Sequence, residues 1–225
     1  MSVSTVKRFG DFISNLNLTS DVLSVADDGT NTTIVVENVF HARALEAPFE
    51  RQVLIDNSPY NLISVDYDTN TIVVGGVIAS ATNYKIENPF YFHGTLISTS
   101  NEIKNLHPSS KFPMVYLNEI VTERLLPVTS NNDRVSTLRL AFLDYYSNDW
   151  IREDHYKISI RALCNLTEFI RDKLYMNGCL MVEGDIIQEE VPKWGEISIS
   201  GNTKKWFNDY LDAIEWEFDL IICKC

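Results

Sequence analysis

Residues 111–175 read KFPMVYLNEI VTERLLPVTS NNDRVSTLRL AFLDYYSNDW IREDHYKISI RALCNLTEFI RDKLY, an apolar strand, a turn-rich excursion, a second long strand and an amphipathic helix. Within it, Thr137 to Tyr146 sends Leu138, Leu140, Phe142 and Tyr145 toward a core. The apolar character becomes continuous near its end, as in a central strand covered on both faces. In the helix, Tyr156, Ile160, Leu163, Ile170 and Leu174 fall in a narrow arc at about 100° per residue, opposite Lys157, Arg161, Asn165, Glu168 and Asp172. Asn148 and Asp149 offer acceptors before the periodic run, and Asn177-Gly178 supplies a stop after it.

Outward from this stretch, Ile214, Trp216, Phe218, Leu220 and Ile222 alternate with Glu215, Glu217 and Asp219, the period-2 pattern of a half-buried strand. Three acids then share its outward face. Like charges at that spacing repel unless a partner or open solvent accommodates them, so Glu215, Glu217 and Asp219 are the candidate lumen or interface residues. Trp194, Trp206 and Phe207, in loop-like surroundings, are the candidate interface aromatics. Between Val182 and Gly201 the reading is of short β-prone pieces, and Lys204 to Ala213 reads as a helical turn or loop.

The first half of the chain differs in texture. Val6, Phe9, Ile13 and Leu16 give a short amphipathic helix. Candidate strands follow at 32–36, 40–46, 52–55, 60–66 and 71–74. Asp28-Gly29, Asp56-Asn57-Ser58-Pro59 and Asp68-Thr69-Asn70 separate them, a spacing that means hairpins rather than crossovers. The small polar joint from Ala79 to Asn83 divides the chain, giving a short helix plus β-rich domain over 1–82 and an α+β domain over 83–225. A further helix is expected from Gly94 to Asn105.

The chain of 225 residues carries a formal net charge of -12, which argues against a nucleic-acid binder that works by neutralising phosphates. No apolar h-region follows Met1 to Phe9 and no apolar run is long enough to cross a bilayer, so no membrane is expected as a partner. The sequons at Asn17, Asn31 and Asn165 are then chance matches. Cys164, Cys179, Cys223 and Cys225 read as reduced thiols.

Chemical motifs are weak throughout. No Gly-rich phosphate cradle occurs. Asp66-Tyr67-Asp68-Thr69-Asn70 imitates the start of a calcium loop but has Thr71 where the turn needs glycine, so a hairpin turn is expected. Cys223-Lys224-Cys225 lacks a second ligand pair. His41, His93, His107 and His155 are scattered and read as surface or cap residues, and Glu189-Glu190 reads as part of a solvated loop. The expectation is a non-enzymatic protein with no catalytic residues, metal or cofactor.

The order of helix, strand (Phe112 to Leu117), meander, long strand (Thr137 to Tyr146), long helix (near Asp149 to Tyr175) and final strand (Glu215 to Ile222) resembles the tail-terminator and tail-completion proteins of tailed bacteriophages, over roughly Phe90 to Cys225. The resemblance implies an α+β domain whose antiparallel or mixed sheet is packed by a long helix. It also implies a homo-oligomeric ring of six or twelve copies in the head-to-tail connector, or neck, of the virion, assembled in the host cytoplasm. The implied partners are copies of itself and neighbouring neck, portal or tail proteins, with DNA only passing through the lumen. The added β-rich domain leaves open whether the chain is a terminator, a portal adaptor or another ring component. The competing expectation is an accessory binding module or assembly chaperone of a phage particle.

Overall fold

The computed structural model describes residues 4–40, 52–95, 112–118, 121–125, 134–199, 202–205 and 210–222. The expected strand over 40–46 lies almost wholly outside these residues, as does most of the expected helix from Gly94 to Asn105.

One compact unit spans Leu16–Asn88 and is a closed six-stranded barrel. Its strands are β1 (Thr19–Asp27), β2 (Asn31–Val36), β3 (Gln52–Ile55), β4 (Ser58–Asp66), β5 (Thr71–Gly75) and β6 (Asn83–Lys85). All neighbours run antiparallel in the order β1-β2-β5-β4-β3-β6, with β6 returning to β1. Closure removes every free edge. The turns are written in the sequence. Asp56 and Asn57, at φ 47° and 64°, form the two-residue β3–β4 connection that calls for positive φ at both central positions. The Asp56 carboxylate then accepts hydrogen bonds from the Thr82 hydroxyl (2.5 Å) and from the Thr82 and Asn83 amides (3.1 and 3.0 Å), fastening the hairpin to the start of β6. These donors hold its pKa below the ordinary carboxylate value, the Thr82 hydroxyl foremost. Alternate residues Ile34, Val53, Ile55, Leu62, Ile72, Val74 and Tyr84 fill the interior, all at or near zero exposure. The Asp66–Asn70 stretch is the β4–β5 turn, as the hairpin reading expected.

The second compact unit is discontinuous, taking helix α1 (Thr5–Ser14) and then the chain from Pro89 onward. The expected break between residues 82 and 83 is therefore displaced in two ways. Asn83 to Lys85 belong to the barrel because β6 is the strand that closes it, and α1 belongs to the other unit because Phe9 packs on Tyr91 and Phe218. Ser4 caps α1 by accepting from the Lys7 amide. Gly10 sits where a Cβ would come within 2.6 Å of the Tyr91 ring, so the helix packs this closely on Tyr91 because the residue is glycine.

The sheet of this unit has strand order β11-β14-β10-β8-β7, with β9 also pairing to β10. Its strands are β7 (Phe90–Gly94), β8 (Met114–Asn118), β9 (Thr122–Leu125), β10 (Arg134–Tyr145), β11 (Leu180–Trp194) and β14 (Leu211–Ile222). A two-stranded hairpin, β12 (Glu196–Ile199) and β13 (Asn202–Lys205), connects β11 to β14. Pairing is antiparallel except for the parallel β7–β8 pair, so the sheet is mixed. The molecule is thus α+β and mostly sheet.

Two corrections to the sequence reading follow. The region read as short pieces after Val182 is one 15-residue strand, β11, bulged between Glu183 and Ile187 and again between Val191 and Trp194. Each bulge resets the alternation, which is why the period-2 signal is lost there. The region read as helical from Lys204 contributes β13 and the start of β14 instead, the buried Asp212 having masked the strand pattern.

The long helix comprises one turn (Arg152–Asp154), a π-helical segment (His155–Ile160) and α2 (Arg161–Tyr175). Ile160, Leu163, Ile170 and Leu174 turn into the core as the arc predicted, and Leu166, which the arc did not include, joins them. The wider π turn shifts the phase at the start, so that His155 and Ser159 are buried and Tyr156 is only half-buried. No helix among the described residues is long and apolar enough to cross a membrane.

Candidate functional site: the two faces of the C-terminal sheet

Register decides which side chains share a face. Across β10, β14 and β11, the rows Leu140–Trp216–Gln188 and Phe142–Ile214–Glu190 lie on the helix-covered face. There Phe142 meets the Trp216 ring edge-on at 4.7 Å, and Phe9 of α1 and Trp216 pack on Phe218. Thr5 of α1 shares a 2.9 Å hydroxyl contact with buried Ser136 and donates to Glu123 Oε1 at 2.8 Å.

The rows on the opposite face are Tyr116–Ala141–Glu215–Glu189, Arg139–Glu217–Ile187 and Thr137–Asp219–Glu183. The three acids singled out from sequence therefore do share one face of β14, and the structure gives each a different neighbour. Glu217 pairs with Arg139 at 3.0 Å. Asp219 pairs with Arg124 at 2.7 Å and accepts from the Thr137 hydroxyl at 2.5 Å. Glu215 accepts from Trp194 Nε1 at 2.5 Å and makes no ion pair among the described residues. Trp194 is the last residue of β11 and is buried, its ring tilted against Tyr116 at 6.1 Å between centroids. Trp206 and Phe207 lie outside the described residues, as do His41, His107, Cys223 and Cys225. A groove of about 430 Å³ opens on this face over Tyr116, Arg139, Ile187, Glu189, Trp194 and Glu215.

Sequence reasoning missed a second cluster, on the helix-covered face. His155, read as a surface or cap residue, is 1% exposed, and its Nδ1 lies 2.8 and 2.9 Å from the two carboxylate oxygens of fully buried Asp212. Asp212 also accepts from the Lys193 amide at 2.9 Å, at the β11 bulge where Lys193 adopts φ 58°. Its pKa is raised, because burial outweighs the help of the Lys193 amide and His155. Tyr146 packs edge-on against the imidazole at 4.4 Å and donates to Glu196 at 2.6 Å. Ser159, one turn on, contributes slightly to holding the Asp212 charge, but among the described residues its hydroxyl lacks a well-formed hydrogen bond, and buried His155 Nε2 has no partner among them either. The only sequence signal was an acid at a core-facing position of β14. Its partner lies 57 positions away and no spacing rule connects them.

Buried this deeply, the His155–Asp212 pair joins the π-helical segment to β14 and the β11 bulge; it is a fastening rather than an exposed base. Glu189 and Glu190, read as a loop, sit on β11 and point to opposite faces, Glu190 toward Cys164 of α2. Burial, with Glu190 and Glu168 nearby, pushes the Cys164 thiol up to about 11. Cys179, read as a reduced thiol, is disulfide-bonded. Among the described residues no group of three or more His, Cys, Asp and Glu is placed to hold a metal ion.

The chain matches no family model, no curated protein and no solved structure.

Proposed function

We propose that this chain is a non-enzymatic structural subunit of a bacteriophage neck or tail junction that assembles into a homo-oligomeric ring around the DNA channel. The observation that carries the reading is the division of labour in the C-terminal sheet. One face is closed by helices, while the other carries Glu215, Glu217 and Asp219 in line and is open enough to hold a 430 Å³ groove. A sheet built this way is suited to packing against copies of itself or lining a passage. The net charge of -12 gives the passage a physical use, because an acidic wall binds phosphates poorly and lets DNA slide where a basic wall would hold it. In this reading the barrel, a separate closed unit, docks onto an adjoining neck, portal or tail component.

Native mass spectrometry over a concentration series tests the reading. A closed species of six or twelve copies of the 25.7 kDa chain is the expected result. A strict monomer that is also absent from purified particles would replace the ring with an accessory binding module or assembly chaperone, a reading that the groove also favours.

A further inference from the structure

β11 is the end strand of the sheet. It pairs with β14 on one side, and among the described residues no strand lies on the other. In an antiparallel ladder alternate residues of an end strand aim their N–H and C=O groups outward, a template for one more strand. Proteins usually blunt such edges by keeping them short or bulged. Here the bulges between Glu183 and Ile187 and between Val191 and Trp194 interrupt a 15-residue edge but leave Ile187 to Val191 regular between them.

This regular stretch borders the groove. Ile187 is 61% exposed and lines it together with Tyr116 and Trp194. Glu189 and Glu215 are direct cross-strand neighbours on the same face, a like-charge arrangement that destabilises a ladder. Neither makes an ion pair among the described residues, whereas Glu217 has Arg139 and Asp219 has Arg124. The groove therefore combines apolar walls, two carboxylates that make no ion pair among the described residues, and an open backbone ladder.

We infer that the β11 edge from Ile187 to Val191 receives an extended segment of a partner protein, added as one more strand, with a lysine or arginine of that segment seated between Glu189 and Glu215. The apolar stem of such a side chain lies along Ile187 and Trp194 while its cation meets the two carboxylates. A second copy of this chain paired through the same edge is disfavoured by charge. β11 carries Glu183, Asp185, Glu189 and Glu190 against Lys193 alone, so self-pairing would set acids beside acids. The inference does not depend on the ring reading.

The test uses the full-length protein and three fluorescein-labelled synthetic peptides followed by anisotropy. One alternates lysine with threonine and valine, one has glutamate for lysine, and one keeps the lysines but carries central prolines that cannot pair as a strand. The lysine peptide is expected to bind, with the proline and glutamate peptides about tenfold or more weaker, and to slow amide exchange of Ile187 to Val191. Replacing Glu189→Gln together with Glu215→Gln, at an exposed and a half-exposed position and with the fold checked by thermal melting, is expected to weaken it about tenfold. Absence of lysine-peptide binding, equal binding of the proline peptide, an unchanged affinity in the double variant, or protection of other amides would each overturn the proposal. So would a dimer in sedimentation whose interface protects the same amides, since the occupant would then be a second copy.

Discussion

The two faces of the C-terminal sheet are built from the same strands, and they differ in what the alternate residues of those strands meet. On β14, Ile214, Trp216, Phe218 and Leu220 are buried under helices, while Glu215, Glu217 and Asp219, one position out of phase, are half-exposed and held by Trp194, Arg139 and Arg124. The difference teaches that stability and interaction are separated by a single residue step. From Ile214 to Leu220, a change at an even position strikes packing, and the same change at an odd position falls on a half-exposed surface. On this view the covered face should be intolerant and the open face permissive.

The largest expected effect is on the covered face. Phe142→Ala empties the position against Trp216 and should cost about 3–5 kcal/mol, read as a fall in the urea midpoint with an unchanged slope. A cost below about 1 kcal/mol would break the comparison.

Next comes the polar fastening on the same face. Asp212→Ala strips the carboxylate from buried His155 and the Lys193 amide and should cost about 3 kcal/mol. Replacing both partners, His155→Phe with Asp212→Leu, should recover much of that loss, because no buried polar group of the pair is then left alone. Recovery is the informative arm. If the double variant is as unstable as the single, the pair specifies the π-helical geometry beyond its own energy.

At the seam between the helix layer and β11, Cys164 should alkylate with iodoacetamide at pH 8 about a hundredfold more slowly than an unperturbed thiol, given a pKa of about 11. The folded pKa lies above the ordinary thiol value of 9.0, so the associated stability is present below about pH 9 and is lost as pH rises through about 11. Glu190→Gln removes one of the charges that raise the pKa, and it should speed the alkylation.

The smallest effect belongs to the open face. Arg139→Ala breaks an ion pair whose side chains are 65% and 45% exposed and should change stability by less than about 1 kcal/mol. A larger loss would mean that the open face contributes to the fold and is not free for a partner.

How much of this was legible in the sequence depends on whether a pattern survived intact. β10, β14 from Ile214 onward and α2 were readable because several apolar residues in succession keep one period in each. β11 was not, since two bulges, Gly184 at φ 78° and Pro192 interrupt its alternation. β1 escaped because Ser20, Asp21, Ser24 and a bulge after Val22 dilute its apolar signal. The three acids were found because they alternate locally, whereas Glu189 beside Glu215 and His155 against Asp212 are created by register and by a π turn. Neither leaves a trace in local spacing.

The insertion of the barrel between α1 and β7 bears on the order in which the molecule can be made. Thr5 must find Ser136, 131 positions later, and Phe9 must find Phe218 on the last strand described. The barrel draws its strands from one continuous stretch and can close as soon as Lys85 has been made. Helix α1, although made before the barrel, has to wait with its apolar face uncovered until β14 arrives, so it precedes the barrel in synthesis and is satisfied only after it.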